Sequence, residues 1–312
     1  MPRVSLLFWL IISVLAWSQP AVLSQDLSVL HKHASRTSGK HFPVFIVTDR
    51  EIRHLATGDD YTANRSSYQN YAVYSPSDPA AKKIDRHDVR ALGSENEFLN
   101  LLKATGARKI AVFVHGYRKS FDGSLDFAQR IADQVDAPVV LFAWPSKNSY
   151  TAYMTDECTA EWSSYHLAGL LHALGTHFGD GNIDVISHSL GGRMVAWSLR
   201  VLATQNQLKE PFDTLLFFSP DIDRDTFLAE SPFIKQSCST VKVYLDAHDS
   251  RIWISKMLHG SPRVGTTDDT DTNAKLSEMF QFDTTMPSHQ IPFPIISAAI
   301  HQPIAVSHVG RN

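Results

Sequence analysis

Ile183-Asp184-Val185-Ile186-Ser187-His188-Ser189-Leu190-Gly191-Gly192-Arg193-Met194 decides how the rest of this chain is read. An apolar, β-rich run passes straight into a helix-forming run through Ser-His-Ser-Leu-Gly. A serine on so sharp a turn takes a strained backbone, which lifts its hydroxyl above the sheet. The turn needs small residues two places to either side, and these are Ser187 and Gly191. Glycine is usual at the first place, so Ser187 is a departure, though a small one. The string alone is loose, because serine is also a common helix N-cap. Its context makes Ser189 a candidate nucleophile: a strand before, a helix after and a second glycine at Gly192.

Similar apolar runs lie on both sides of this stretch. They are Ile110–Val114, Val139–Ala143, Thr214–Phe218, Val241–Leu245 and Met279–Phe282, with Phe42–Val47 and Tyr71–Tyr74 as earlier strands. Continuous apolar runs fit strands buried on both faces, as in a parallel sheet. Between them, Leu125–Val135 places Leu125, Ala128, Ile131, Ala132 and Val135 at helical spacing. Asn96–Ala104, Glu161–Phe178 and Met194–Leu202 read the same way. The alternation predicts an α/β fold with a mostly parallel central sheet, right-handed crossovers and helices on both faces. Thr266–Thr272 reads as a surface loop, since it lacks the spacing of a calcium-binding loop. Lys147–Thr159 and Thr266–Ala274 are expected to shape the pocket.

The N-terminus reads differently. Arg3 precedes an apolar run from Leu6 to Trp17, and Val22-Leu23-Ser24 stands before Gln25. A basic start, about a dozen apolar residues and small residues at the end is the layout of a signal peptide. A membrane span needs about 20 apolar residues. Residues 1–24 are therefore expected to be a signal peptide, with an uncleaved anchor through residues 5–17 as the alternative. The protein would then be exported, periplasmic or secreted, or held at the inner membrane. Residues 25–41 are polar, carry His31, His33 and His41, and read as a linker rather than a metal-binding tail. Residues 42–312 form the expected domain.

Hydrophobic residues make up 43% of the 312 and charged residues 20%, enough for a full core. The formal net charge of -3 gives no electrostatic case for nucleic acid as a partner. Two cysteines, Cys158 and Cys238, exclude a disulfide scaffold and a cysteine-based zinc module. In an oxidising compartment the pair could form one disulfide; two buried thiols are the alternative.

Serine needs a base, and the base needs an orienting acid, here expected in the chain order Ser, acid, His. Upstream, Val112-Phe113-Val114-His115-Gly116-Tyr117 ends a strand in a loop that can supply an oxyanion-hole N–H from Tyr117. The second would come from Leu190, after the nucleophile. Asp249, after Val241–Leu245, is the expected acid, with Asp221, Asp223 and Asp246 as alternatives. The bland reading of Asp221–Arg224 is a loop salt-bridge set beside a helix cap. His289, in the loop after the last strand, is the expected base; His301 and His308 are the alternatives. His188 adjoins the nucleophile, but its side chain should point elsewhere on the turn. His115 and Trp144 are expected to line a substrate pocket.

Taken together, Val44–Arg50, Phe113-Val114-His115-Gly116-Tyr117, Leu141-Phe142-Ala143-Trp144-Pro145-Ser146, Glu161-Trp162-Ser163, Ser187–Gly191 and Ser219–Asp225 resemble a bacterial α/β-hydrolase-like family of largely uncharacterised function. The resemblance runs to about Ile291-Pro292. It implies an α/β-hydrolase fold and a Ser-His-acid apparatus, with no known substrate. The expected activity is hydrolysis of a small carboxylic ester or related acyl substrate, without a cofactor or metal. An acyltransferase or amidase would use the same residues. A non-catalytic envelope protein that binds or scaffolds is a further alternative.

Overall fold

The structure is a computed structural model. It describes residues 42–55, 58–78, 83–245, 249–264, 270–283, 286 and 289–302. The expectations for residues 1–24 and 25–41, and the candidates Asp246 and His308, lie outside the described residues.

Among the described residues nine strands form one sheet: β1 (Val44–Leu55), β2 (Gly58–Tyr74), β3 (Val89–Leu92), β4 (Ile110–Val114), β5 (Val139–Phe142), β6 (Ile183–His188), β7 (Phe212–Phe218), β8 (Cys238–Tyr244) and β9 (Gln281–Asp283). Their order is β3-β2-β1-β5-β4-β6-β7-β8-β9. Every pairing from β1–β5 to β8–β9 is parallel. Only β2 runs against its neighbours. The helices are α1 (Glu95–Ala104), α2 (Phe121–Ala132), α3 (Tyr153–Phe178), α4 (Leu190–Thr204), α5 (Arg224–Ser237), α6 (Ser250–His259), α7 (Thr270–Met279) and α8 (Ile296–His301). Among the described residues no helix is long and apolar enough to cross a membrane.

The period of two along each strand sorts the core into two layers. Val112, Val114, Val185 and Phe217 pack with Leu99 and Leu102 of α1, Leu171 of α3 and Leu199 of α4. Ala111, Phe113, Ile186 and Leu216 pack on the other face with Leu125 and Ile131 of α2 and Ile296 of α8. The strands are thus covered on both faces, which is why their sequences are continuously apolar.

The first two strands reach much further than their apolar cores. β1 continues through Thr48, Asp49 and Arg50, which are buried despite their polarity. The β1–β2 ladder shifts register between Thr48 and Arg50 and again between Arg50 and Ile52, as bulges do. Arg50 can be buried because its guanidinium donates to three carbonyls: Ala143 at 3.2 Å, Thr62 at 3.1 Å and Lys119 at 3.0 Å. Burial lowers its pKa to about 10, against the opposing charges of Asp49 and Asp156.

One loop expectation needs correction. Thr270 starts α7, which takes over the end of Thr266–Thr272. Within Lys147–Thr159, Tyr153 starts α3. The disulfide possibility also falls. Both cysteines are free, Cys158 exposed on α3 and Cys238 buried at the start of β8.

From β4 the chain moves to β5 on one side and then crosses back to β6 on the other. Strand order reverses at this point, and a crevice opens beyond the carboxyl ends of such strands. The loop after β4 and the turn after β6 both border it.

Candidate active site

Ser189 occupies the turn between β6 and α4 at φ 52° and ψ -125°. A non-glycine residue there costs about 1–3 kcal/mol and persists only when its surroundings hold it. Its N–H donates to the Phe218 carbonyl at 3.0 Å. Its carbonyl accepts from Gly192 at 2.9 Å and Asp221 at 3.2 Å. Its side chain makes no capping bond to α4. The helix-cap explanation of this serine therefore fails.

Two glycines let the backbones meet. A Cβ on Gly191 would stand 2.5 Å from the His115 carbonyl oxygen and 2.6 Å from that of Val114. A Cβ on Gly116 would stand 2.8 Å from both His188 Nδ1 and Ser189 Cβ. The unusual Ser187 is fully buried, and its hydroxyl donates to the Leu216 carbonyl at 3.1 Å. A small polar side chain is tolerated there because β7 satisfies it.

Ser189 borders a cavity of about 400 Å³, also lined by Tyr117, His188, Asp221 and His289. His289 Nδ1 is hydrogen-bonded to Asp249 Oδ2. Burial pushes the Asp249 pKa up, but the bond and charge of His289 and the amides of Ile252 and Arg251 outweigh it and hold the carboxyl below its ordinary range. Asp249 is also the N-cap of α6, accepting from Arg251 at 2.9 Å and Ile252 at 3.2 Å. The structure thus brings the expected acid and base together, on the cavity that Ser189 borders.

The alternatives are engaged otherwise. Asp221 accepts from Tyr153 and, at 2.7 Å, from Ser255, and pairs with Arg263 at 3.6 Å. This buried network ties α3 and α6 to the loop after β7. Asp223 caps α5 through Thr226 N–H at 2.8 Å, as the bland reading of its loop expects. His301 is exposed at the end of α8 and borders a different cavity.

Leu190 is the first residue of α4, where helix N–H groups have no acceptor inside the helix. Tyr117 is fixed by its hydroxyl, which is shared between the carbonyls of Ser149 at 2.8 Å and Tyr150 at 2.7 Å. The next residues are anchored too, by Lys119 N–H on Ser146 Oγ at 3.1 Å and by Arg50 on the Lys119 carbonyl.

His115 and Trp144 do not line the pocket. Both are fully buried, and their rings stack at 5.0 Å beneath the loop. Trp144 Nε1 donates to the His115 carbonyl at 2.8 Å. The stack and this bond tie the chain after β4 to the chain after β5. His188 carries a role that sequence reasoning missed. Its Nε2 lies 2.7 Å from the His289 carbonyl and its ring packs against that of His289 at 4.9 Å. The acceptor is a carbonyl, so Nε2 must carry the proton. Burial lowers the His188 pKa to about 3, so the ring is neutral.

Residues 91–285 match the family described as "Alpha/beta hydrolase of unknown function (DUF900)". The chain belongs to this family. As an α/β hydrolase it has the fold expected from its strand pattern, with the sheet covered on both faces. No curated protein matches its sequence. Among solved structures, this α/β hydrolase is similar to an esterase/lipase from an uncultured bacterium, with TM-score 0.38, 13% identity and coverage of 88% of this chain and 85% of that one. A Pyrobaculum calidifontis esterase gives TM-score 0.35, 12% identity and coverage of 88% and 86%. Aspergillus fumigatus lipase B gives TM-score 0.28, 20% identity and coverage of 47% and 34%.

Proposed function

We propose that this α/β hydrolase is a serine hydrolase acting on carboxylic esters or related acyl substrates. One observation carries the reading: a strained Ser189 whose hydroxyl caps no helix borders the same cavity as a His289 ring held by Asp249. Ser189 Oγ attacks the acyl carbonyl while His289 Nε2 takes its proton. Asp249 fixes the ring with Nδ1–H toward the carboxylate and stabilises the imidazolium. The N–H groups of Tyr117 and Leu190 receive the developing oxyanion; such a donor is typically worth about 2.7–4 kcal/mol. His289 then protonates the leaving alcohol, and water, activated by the same ring, releases the acid and restores Ser189. His188 holds the His289 backbone in place.

A fluorophosphonate probe tests this reading on the folded protein. Labelling at Ser189 that vanishes in Ser189→Ala supports it; no labelling of the folded wild type makes the chain a binding or scaffold protein. Product analysis with water and an added alcohol or amine separates hydrolysis from acyl transfer. Export through residues 1–24 belongs to the same reading. Intact mass of protein recovered from the producing cell tests whether that segment is removed.

A further inference from the structure

The cavity that Ser189 and His289 border has an unusual electrostatic composition. Arg118, Lys119 and Arg251 all line it. Among the described residues none of the three forms an ion pair with a carboxylate. Two are held on aromatic faces instead: the Arg118 guanidinium lies 3.6 Å from the Tyr150 ring centroid and Lys119 Nζ lies 3.5 Å from that of Phe127. Arg251 stands in the first turn of α6, where the helix dipole disfavours a cation. Two of the carboxylates nearby are already engaged. Asp221 is bonded to Tyr153, Ser255 and Arg263, and Asp249 to His289 and two amides.

The three cations repel one another. Burial lowers the Lys119 pKa to about 8, with the charges of Arg118 and Arg251 adding to the effect against Asp126. Burial and Arg251 act in the same direction on Arg118. Such a cluster, with two members on the fixed loop that carries Tyr117 and the third on α6, is destabilising by itself, and an anion relieves it. Apolar surface lies alongside, with Met154 63% and Leu258 46% exposed on the same cavity.

We propose that Arg118, Lys119 and Arg251 form a subsite for an anionic group on the acyl substrate. The substrate class is an ester with an apolar acyl chain and a phosphate, sulfate or carboxylate on the same molecule. This rests on the esterase reading of Ser189. The oxyanion group docks against the guanidinium and ammonium groups while the chain lies along Met154 and Leu258.

The test compares matched ester pairs at low salt. In solution the pair is hexanoyl glycerol phosphate against hexanoyl glycerol. In vesicles of ether-linked phosphatidylcholine, which carries no ester, it is phosphatidate against diacylglycerol. The expected result is a kcat/KM preference of about tenfold for the anionic member, shrinking toward unity at high salt as the cations are screened. A preference in solution identifies a soluble substrate; one confined to vesicles identifies a lipid headgroup. Arg251→Glu should invert the preference and Arg118→Gln with Lys119→Gln should abolish it, while Arg108→Gln, at the other end of the sheet, should keep it. Circular dichroism checks that each variant is folded. Equal kcat/KM within both pairs overturns the proposal. If neither pair is hydrolysed, hexyl phosphate and hexanol decide it through thermal stability, since a bound ligand raises Tm. A shift with hexyl phosphate that Arg251→Glu removes upholds the subsite, and no shift overturns it. Fluorophosphonate labelling reports separately on whether Ser189 is a nucleophile at all.

Discussion

The nucleophile side of the site and the acid–base side are built in different ways. Around Ser189 the parts are backbone: two strand ends, Gly116 against Ser189 and Gly191 against the Val114 and His115 carbonyls. Around His289 the parts are side chains distant in the chain, with Asp249 forty residues away in sequence and His188, at the end of β6, meeting a main-chain carbonyl. Crowding the backbones of the first arrangement costs folding. Removing a reacting side chain from either costs turnover and leaves the fold. The substitutions below separate these costs.

The largest effect is expected from Ser189→Ala, which should lower kcat by about 10⁴–10⁶-fold. Ser189→Gly should lose as much activity yet gain about 1 kcal/mol in chemical denaturation, because glycine accepts a positive φ freely. Asp249→Asn should keep its capping bonds to α6 and its Tm, while kcat falls by about 10³–10⁴-fold as the imidazole loses its fixed tautomer. Gly191→Ala should reverse that pattern. Its methyl would meet immovable carbonyls, and a loss of about 3 kcal/mol or more in urea unfolding is expected.

Smaller effects sharpen the comparison. His188→Leu should lower kcat about tenfold with KM nearly unchanged, by freeing the His289 backbone, and His188→Gln should recover part of the loss. Lys119→Met should raise stability at pH 7 by about 1 kcal/mol, a figure reduced for the partial exposure of Lys119. The sign follows from its lowered pKa. The unfolded chain binds the proton more tightly between about pH 8 and the ordinary lysine value, so wild-type stability rises with pH across that window. The gain from the substitution should therefore be full below pH 8 and shrink above it, as thermal melts across that range would show.

The same divide explains what could be read from the chain. The strands β4 to β8 and the Ser189 turn were legible because burial on both faces and a tight turn both restrict residue type locally. Asp249 and His289 were legible only as ranked candidates, since their meeting depends on loop paths that no local pattern encodes. His188 was passed over because a side chain that bonds a distant carbonyl leaves no periodic signal. His115 and Trp144 were misplaced for a related reason: an aromatic pair at strand ends lines a pocket or fills the space beneath one, depending on which way the chain turns. β1 was read only to Val47 and β2 only from Tyr71, because polar and charged residues read as the end of a strand. Arg50 shows how a strand carries a charge inward when three carbonyls receive it.

Those three carbonyls also set an order of events. Arg50 precedes Lys119 by 69 residues and Ala143 by 93, so its bonds close long loops and belong to the slow, non-local part of folding. The segment after β4 gains its Arg50 anchor only once the N-terminal hairpin has docked. A molecule nicked or unravelled at that hairpin would keep Ser189 and lose the frame that makes it useful. Turnover would then serve as a sensitive gauge of whether refolding has reached its last step.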